Sequence, residues 1–322
     1  GAAHVPDFVI VRANGEPLYT LVNPTDDALM GITHVLRGED LLSSTPRQLA
    51  MHQALADIGV SVGPMPRFGH LPYVMGEGNK KLSKRDPEAS FSHYMKAGFL
   101  PEGLVNYLAL LGWSLGNDVE FFSLEQMAQA FEISRVNPNP ARFDLKKCTS
   151  INGDWIRALS PDDLAERIVP FLVEAGVLPA QPSADQLALL RAAVPHISER
   201  METLSQAVGM VGFLFAGEAD SIPFERDAAD VAKVLDESGR AVVTAAAAAL
   251  AEVDDWSTEP IQEALRAQLI EQMGLKPRLA FGPVRVAVTG RRVSPPLFES
   301  LELLGRERSL ERLRTAVEQT QG

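Results

Sequence analysis

The chain is short of cysteine, of aromatic residues, of positive charge and of long apolar runs, and each shortage removes a class of protein. Its single cysteine, Cys148, can close neither an internal disulfide nor a Cys-x-x-Cys metal site, so nothing ties the chain to an oxidising compartment and the expectation is a cytoplasmic one. His4, His34, His52, His70, His93 and His196 fall at no His-x-x-x-His or similar ligand spacing, which argues against zinc. The Ala-rich run from Ala241 to Val253 is far shorter than the roughly 20 residues a membrane span requires, and Gly1 to Asp7 shows neither a charged leader nor an apolar core; no membrane is expected. Lys and Arg number 30 against 42 Asp and Glu, for a net charge of −12. Such a chain repels polyanions at long range, so any nucleic-acid contact must be local and shaped.

What is present is enough for several cores. With 322 residues and 46% hydrophobic content, two or three compact units are expected. The first third mixes signals. β-Branched or aromatic segments at Asp7–Val11, Leu18–Val22 and Thr33–Leu36 read as strands, and Asn14-Gly15 between apolar runs predicts a hairpin leading into a parallel core strand. Ser43-Ser44-Thr45-Pro46 then opens a helix carried by Leu49, Ala50, Gln53, Ala54 and Ile58. A second strand-turn unit runs from Arg67 to about Arg85 through Gly76-Glu77-Gly78-Asn79. Beyond about Ser90, helical spacing dominates: Pro101–Leu111, Leu124–Phe131, Pro161–Ala175, Ala184–Ala193, Glu199–Leu214, Asp227–Val253 and Ile261–Met273, with Val284–Val288 as the one interruption. Pro179–Pro182 and Gly217–Pro223 are candidate seams.

The chemistry concentrates in a basic turn within this acidic chain. Lys80 to Arg85 place two lysines on either side of Leu-Ser on a glycine-bearing loop, where two ammonium groups can meet one polyphosphate while the leucine anchors the loop. Asp26, Asp27, Glu39 and Asp40 can be read as paired carboxylates, but loop and helix-terminus structure is the better reading. Lys81-Leu82-Ser83-Lys84-Arg85 resembles the KMSKS signature of class I aminoacyl-tRNA synthetases in its KLSKR form. Pro17 to Asn23, Asp26 to Asp40 and Ser44 to Gln48 closely resemble the catalytic core of the glutamyl-tRNA synthetase family.

That resemblance implies site residues. Lys81, Ser83 and Lys84 would serve catalysis, and Lys81, Leu82 and Lys84 would hold ATP with its Mg2+. Arg37 would leave a strand end where an open α/β sheet places its crevice, its guanidinium fork suited to the substrate γ-carboxylate, with Tyr19 and Asn23 lining the amino-acid pocket. His70 would lie in the cleft wall without a catalytic task. Asn137 to Asp144 resembles the family's passage from the stem-contacting domain into the helical region, and Pro283 to Gly290 with Ser294 to Glu299 resembles its final anticodon-binding subdomain. There a small apolar loop and a nearby arginine would read an unstacked base, with Arg285 and Leu297 foremost, Ser294 and Pro295 beside them, and Arg200 approaching the last anticodon base.

The fold expected on this basis is α/β, the C-terminal half of a class I Rossmann-like catalytic domain, followed by a mostly helical stem-contact and anticodon-binding region. The divisions are residues 1–62 for the catalytic half with the end of an insertion, 63–150 for the stem-contact domain carrying the KLSKR loop, and 151–216 and 217–322 for two helical anticodon-binding subdomains. No His-x-Gly-His or similar phosphate-gripping motif occurs, so the chain is expected to be an incomplete glutamate–tRNA ligase, inactive by itself, acting on L-glutamate, ATP and tRNA(Glu) as a monomer. The rivals are a tRNA-binding module without chemistry and a relative of glutaminyl-tRNA synthetase, the latter disfavoured by the helical tail.

Overall fold

The computed structural model describes residues 5–60, 63–76, 80–82, 89–217 and 221–318. It separates into two compact units, residues 1–89 with 108–144, and 90–107 with 145–322.

In the first unit, Asn14-Gly15 forms the expected tight turn: Gly15 takes φ +86° and Arg12 N–H donates to Glu16 O at 2.8 Å, while Val11 bridges Pro17. The chain then enters not a strand but helix α1, Tyr19–Met30. The β-branched run at 18–22 is too short to outweigh a helical pattern that continues to Gly31, whose left-handed φ of +69° stops the helix. Strand β1, His34–Gly38, follows, then a 3-10 turn over Glu39–Ser44 and helix α2, Thr45–Asp57, with Pro46 in its first turn. Strand β2, Arg67–Leu71, returns parallel to β1 with Arg37 opposite His70. This strand-helix-strand unit is what puts Arg37 at the carboxyl end of a parallel strand. Two-residue strands β3, Val74–Met75, and β4, Ala141–Arg142, pair in parallel, and Trp113 packs edge-on against buried Phe122 near helix α5, Leu124–Ala130.

The second unit is helical. In chain order it holds α3, Phe91–Ala97, and α4, Pro101–Leu110, whose residues through Tyr107 belong here. Asn152 ties this start to the rest: its side-chain oxygen accepts from Leu100 N–H at 2.8 Å and its amide donates to Glu202 O at 2.6 Å. Helices α6, Leu145–Ala158, α7, Pro161–Glu174, α8, Ala184–Ala193, and α9, Ala207–Phe215, follow, with Ser160 and Ser183 capping α7 and α8. The run read as one helix from Glu199 to Leu214 is broken, because Met201 and Thr203 turn extended and a Thr203–Gln206 capping box restarts the chain.

Asp236 likewise divides the expected Asp227–Val253 helix into α10, Ala228–Val234, and α11, Glu237–Ala251, by capping Gly239 N–H at 2.9 Å. Helix α12, Thr258–Leu265, passes into a π-helical stretch over Arg266–Gln272. Val284–Val288 is no interruption: it lies inside α13, Pro277–Thr289, where Val284, Val286 and Val288 are fully buried and packing overrides their weak helix preference. Helices α14, Leu297–Leu304, and α15, Arg306–Glu318, close the unit.

Candidate active site and nucleic-acid interface

Arg37 is the most heavily bonded group of the first unit's site. Its Nη1 donates to Tyr19 Oη at 3.2 Å and Gln48 Oε1 at 2.5 Å, its Nη2 to Thr45 Oγ1 at 2.7 Å and Leu41 O at 3.3 Å, and its Nε to His70 Nε2 at 3.4 Å. The guanidinium also lies 5.5 Å from the Phe68 ring centroid. A fork held on every edge loses little freedom when it meets a planar anion. Tyr19 accepts from Arg37 and keeps its own O–H to donate outward, and it is 44% exposed. Asn23 stands one turn further along α1, half-buried and without a hydrogen bond among the described residues.

Sequence reasoning passed over Thr45 and Gln48 and assigned His70 only to the wall. His70 Nε2 sits 2.9 Å from Thr45 Oγ1, so all three form one shell around Arg37. The available signal was the polar stripe Thr45, Gln48 and His52, at helical spacing on α2. Gln48 and His52 are buried, and Gln48 Nε2 and His52 Nε2 have no hydrogen-bond partner among the described residues. Gln48 thus holds a donor for which the described residues supply no acceptor. Burial lowers the pKa of His52 and keeps its ring neutral, against a smaller opposing pull from Asp27.

The basic turn reaches the same strand end. Lys81 pairs with Met75 through an antiparallel bridge, and Leu82 N–H donates to Val74 O at 3.0 Å. A Cβ on Gly76 would lie 3.3 Å from Leu82 Cδ1, so the leucine rests on the glycine, as an anchoring role requires. Lys81 Nζ lies 3.6 Å from Asp40 Oδ2 and 3.8 Å from the Tyr73 ring centroid. Asp40 lies in the 3-10 turn that follows β1 directly, so Lys81 reaches the strand end that carries Arg37. Ser83, Lys84 and Arg85 lie outside the described residues. A separate apolar cavity of about 390 Å³ on this unit is lined by Leu36, Leu71, Tyr73, Trp113, Phe131 and Val136 among others, not by Arg37 or Lys81. Among the described residues no group of three His, Cys, Asp or Glu side chains could hold a metal ion.

In the second unit, the residues singled out near the tail converge on one loop. Arg285, on α13, donates from Nη1 to Ser294 Oγ at 2.6 Å and Pro295 O at 2.5 Å, and Arg200 donates to Ser294 O at 2.9 Å across 94 residues of sequence. Burial lowers the pKa of Arg285, and the Arg200 charge adds to that while Glu299 opposes it. Leu297 corrects the sequence reading: it opens α14 facing inward and is 3% exposed, so it offers no surface to a base in this conformation. Cys148 is a core thiol, its pKa pushed up to about 12 by burial, and takes no part in either site.

Comparison with known proteins agrees with this division. The family described as tRNA synthetases class I (E and Q), catalytic domain, matches residues 2–150, and an anticodon binding domain family matches residues 163–317. The chain is 62% identical over 315 residues to a glutamate–tRNA ligase of Nocardioides sp. and 60% identical over 313 residues to that of Saccharopolyspora erythraea. These alignments take in 97% of this chain but 63% and 61% of the relatives, so the chain spans under two thirds of their length. A crystal structure of a glutamate tRNA ligase from Elizabethkingia meningosepticum superposes with a TM-score of 0.79 at 24% identity, covering 98% of this chain and 63% of that one, which establishes the shared fold. Among the described residues no helix is long and apolar enough to cross a membrane. Residues 2–150 therefore belong to the class I tRNA synthetase (E and Q) catalytic-domain family, and residues 163–317 to an anticodon binding domain family.

Proposed function

We propose that the chain is the larger part of a glutamate–tRNA ligase, carrying the amino-acid and triphosphate contacts at the end of β1 and the anticodon contacts around the 290–296 loop. Arg37 carries this reading: a guanidinium fixed at the carboxyl end of a parallel strand, with a tyrosine hydroxyl and an unengaged asparagine amide beside it. In the proposed reaction the glutamate α-carboxylate attacks the α-phosphorus of ATP and pyrophosphate leaves. A terminal ribose hydroxyl of tRNA(Glu) then attacks the adenylate carbonyl and AMP leaves.

Arg37 would take the γ-carboxylate on Nη1 in exchange for its bond to Tyr19, whose hydroxyl would then donate to the same carboxylate, and Asn23 would hold a polar group of glutamate or its adenylate. Lys81 is half-exposed and its 3.6 Å contact with Asp40 is a weak restraint, so a polyphosphate of higher charge would draw it away. Together with Lys84, and with Leu82 fixing the loop, it would neutralise the departing pyrophosphate; Ser83 would assist. Magnesium would arrive on the ATP phosphates. We further propose the boundaries 1–62, 63–150, 151–216 and 217–322 for catalytic half, stem-contact domain and two anticodon-binding subdomains, in a cytoplasmic monomer.

Glutamate-dependent pyrophosphate exchange by the full-length protein tests this. Arg37→Ala and Lys84→Ala should each lower kcat/KM by roughly 100-fold, the worth of two charge-assisted hydrogen bonds. If both stay within about threefold, a change of well under one such bond, the assignment fails. The 322-residue chain alone should show no exchange, since no HIGH-type motif stands in it. The second reading, a tRNA-binding module without chemistry, is favoured by the separate compactness of residues 90–107 with 145–322 and would be upheld by tRNA(Glu) binding with no exchange at full length.

A further inference from the structure

We propose that Val293 is the apolar surface this protein offers to an unstacked base of single-stranded RNA, and that Asp230 is the positioning residue that presents it. The inference rests on the anticodon-binding reading above and goes beyond it to two residues which that reading does not include. Val293 is 81% exposed, the most exposed large apolar side chain among the described residues. It does not stand on a loose tip. Gly290 O accepts from Asp227 N–H at 2.9 Å, Arg291 O accepts from Thr289 Oγ1 at 3.1 Å, and Ser294 and Pro295 are held by Arg200 and Arg285.

Between these points Asp230 takes Arg292 twice, accepting from its backbone N–H at 2.9 Å and from Nε at 2.6 Å. Both bonds hold the Asp230 carboxyl below its ordinary pKa. Asp230 is itself fixed, since its N–H donates to the Asp227 side chain at the start of α10. Gly290 lets the strap come this close: it takes φ +82°, and a Cβ there would meet Glu225 O at 2.6 Å. The loop therefore exposes one apolar side chain on a rigid support, with Arg291 and Arg292 before it and Arg285 and Arg200 behind it, in a protein of net charge −12. An exposed apolar side chain that follows Arg291 and Arg292 in the chain fits a base with its flanking phosphates. It suits a protein partner less well, because burying the loop would desolvate Arg200, Arg285 and Arg291 as well, while Asp230 is already taken up by Arg292. Leu297, at 3% exposure, takes no part in this surface.

The test measures binding of the 322-residue chain to a tRNA(Glu) transcript and to the same transcript with its three anticodon bases replaced. Wild type should prefer the first. Val293→Ser, which removes the apolar surface without adding charge at an exposed site, should cut that preference about fivefold, the low end of a base-stacking contact, with an unchanged melting temperature. Asp230→Ala should cut it to a similar degree while binding to the altered transcript holds or rises, because Arg292 is released but not lost. Asp230→Asn, which keeps an acceptor for the Arg292 N–H, should recover part of the preference. The proposal is overturned if Val293→Ser keeps the full preference, or if Asp230→Ala weakens both transcripts equally, as general loosening would. If wild type shows no preference at all, the anticodon-binding reading itself fails, and this inference with it.

Discussion

Ile168, Leu172, Leu265 and Leu269 of the second unit are wholly buried, whereas Val35 and Leu55, the best-buried aliphatic side chains around β1 and α2, keep 9% and 6% exposure, and Leu29, Met30, Leu36 and Ile58 stand in solvent. The difference follows from how each architecture satisfies itself. A helical unit closes its backbone hydrogen bonds locally and needs only packed side chains to complete a core. A parallel sheet is normally covered on both faces, and among the described residues this one has two strands, β1 and β2, with Leu36 47% exposed. The two sites inherit this contrast: Arg37 is surrounded by side chains, one of which, Gln48, is buried with a nitrogen that no described residue answers, while Arg285, on α13, is tied to Ser294 Oγ and Pro295 O.

Perturbations should therefore fall unequally. The largest effect is expected from Arg312→Met in the second unit. Arg312 is 6% exposed, donates to Val288 O, Phe213 O and Ala216 O, and lies 3.6 Å from the Phe224 ring centroid. Orphaning buried carbonyls should cost about 3–5 kcal/mol in urea unfolding of that unit. Leu265→Ala comes next, at about 2–4 kcal/mol, because a fully buried site cannot collapse around the cavity. A loss under about 0.5 kcal/mol would mean that the second core is looser than described.

In the range where histidine titrates, a pH response is expected in the first unit. His52 has a folded pKa below its ordinary value of 6.5, so the unfolded state binds the proton more readily. The unit's stability is fully present above about 6.5 and falls as the pH drops toward the folded pKa. His52→Leu should flatten that dependence between about pH 5 and 7, measured by thermal melts at each pH. The smallest effect is expected from Leu36→Ala: with the side chain 47% exposed, the change should stay within about 0.5 kcal/mol. A large loss there would erase the contrast between the units.

Much of the fold was legible because its punctuation is local. Asn14-Gly15, Pro46, Ser160-Pro161 and Ser183 announce turns and helix starts by chemistry that acts within a few residues. Strand propensity misled at Leu18–Val22, where a longer helical pattern outweighs a short run, and at Val284–Val288, where burial decides. In the candidate site, Arg37, Tyr19 and Lys81 were visible as motif residues and come together at the end of β1. Thr45 and Gln48 were not, because their part depends on α2 folding back beside β1, a contact no local pattern encodes. Leu297 was misassigned for the same reason: being apolar in a loop-like stretch does not say which way the first residue of α14 faces. Val293, one residue before the recognised Ser294, acquires meaning only from Asp230, which holds the adjoining Arg292 across 62 residues of chain.

The central claim is that two arginines in two units do separate work, Arg37 on the amino acid and Arg285 on the RNA. Its most direct test is a paired measurement on the full-length protein of the glutamate KM in pyrophosphate exchange and of the Kd for tRNA(Glu). Arg37→Ala should raise the first and leave the second unchanged, and Arg285→Ala should do the reverse. If either variant moves both quantities together, or Arg37→Ala leaves the glutamate KM where it was, the account is contradicted.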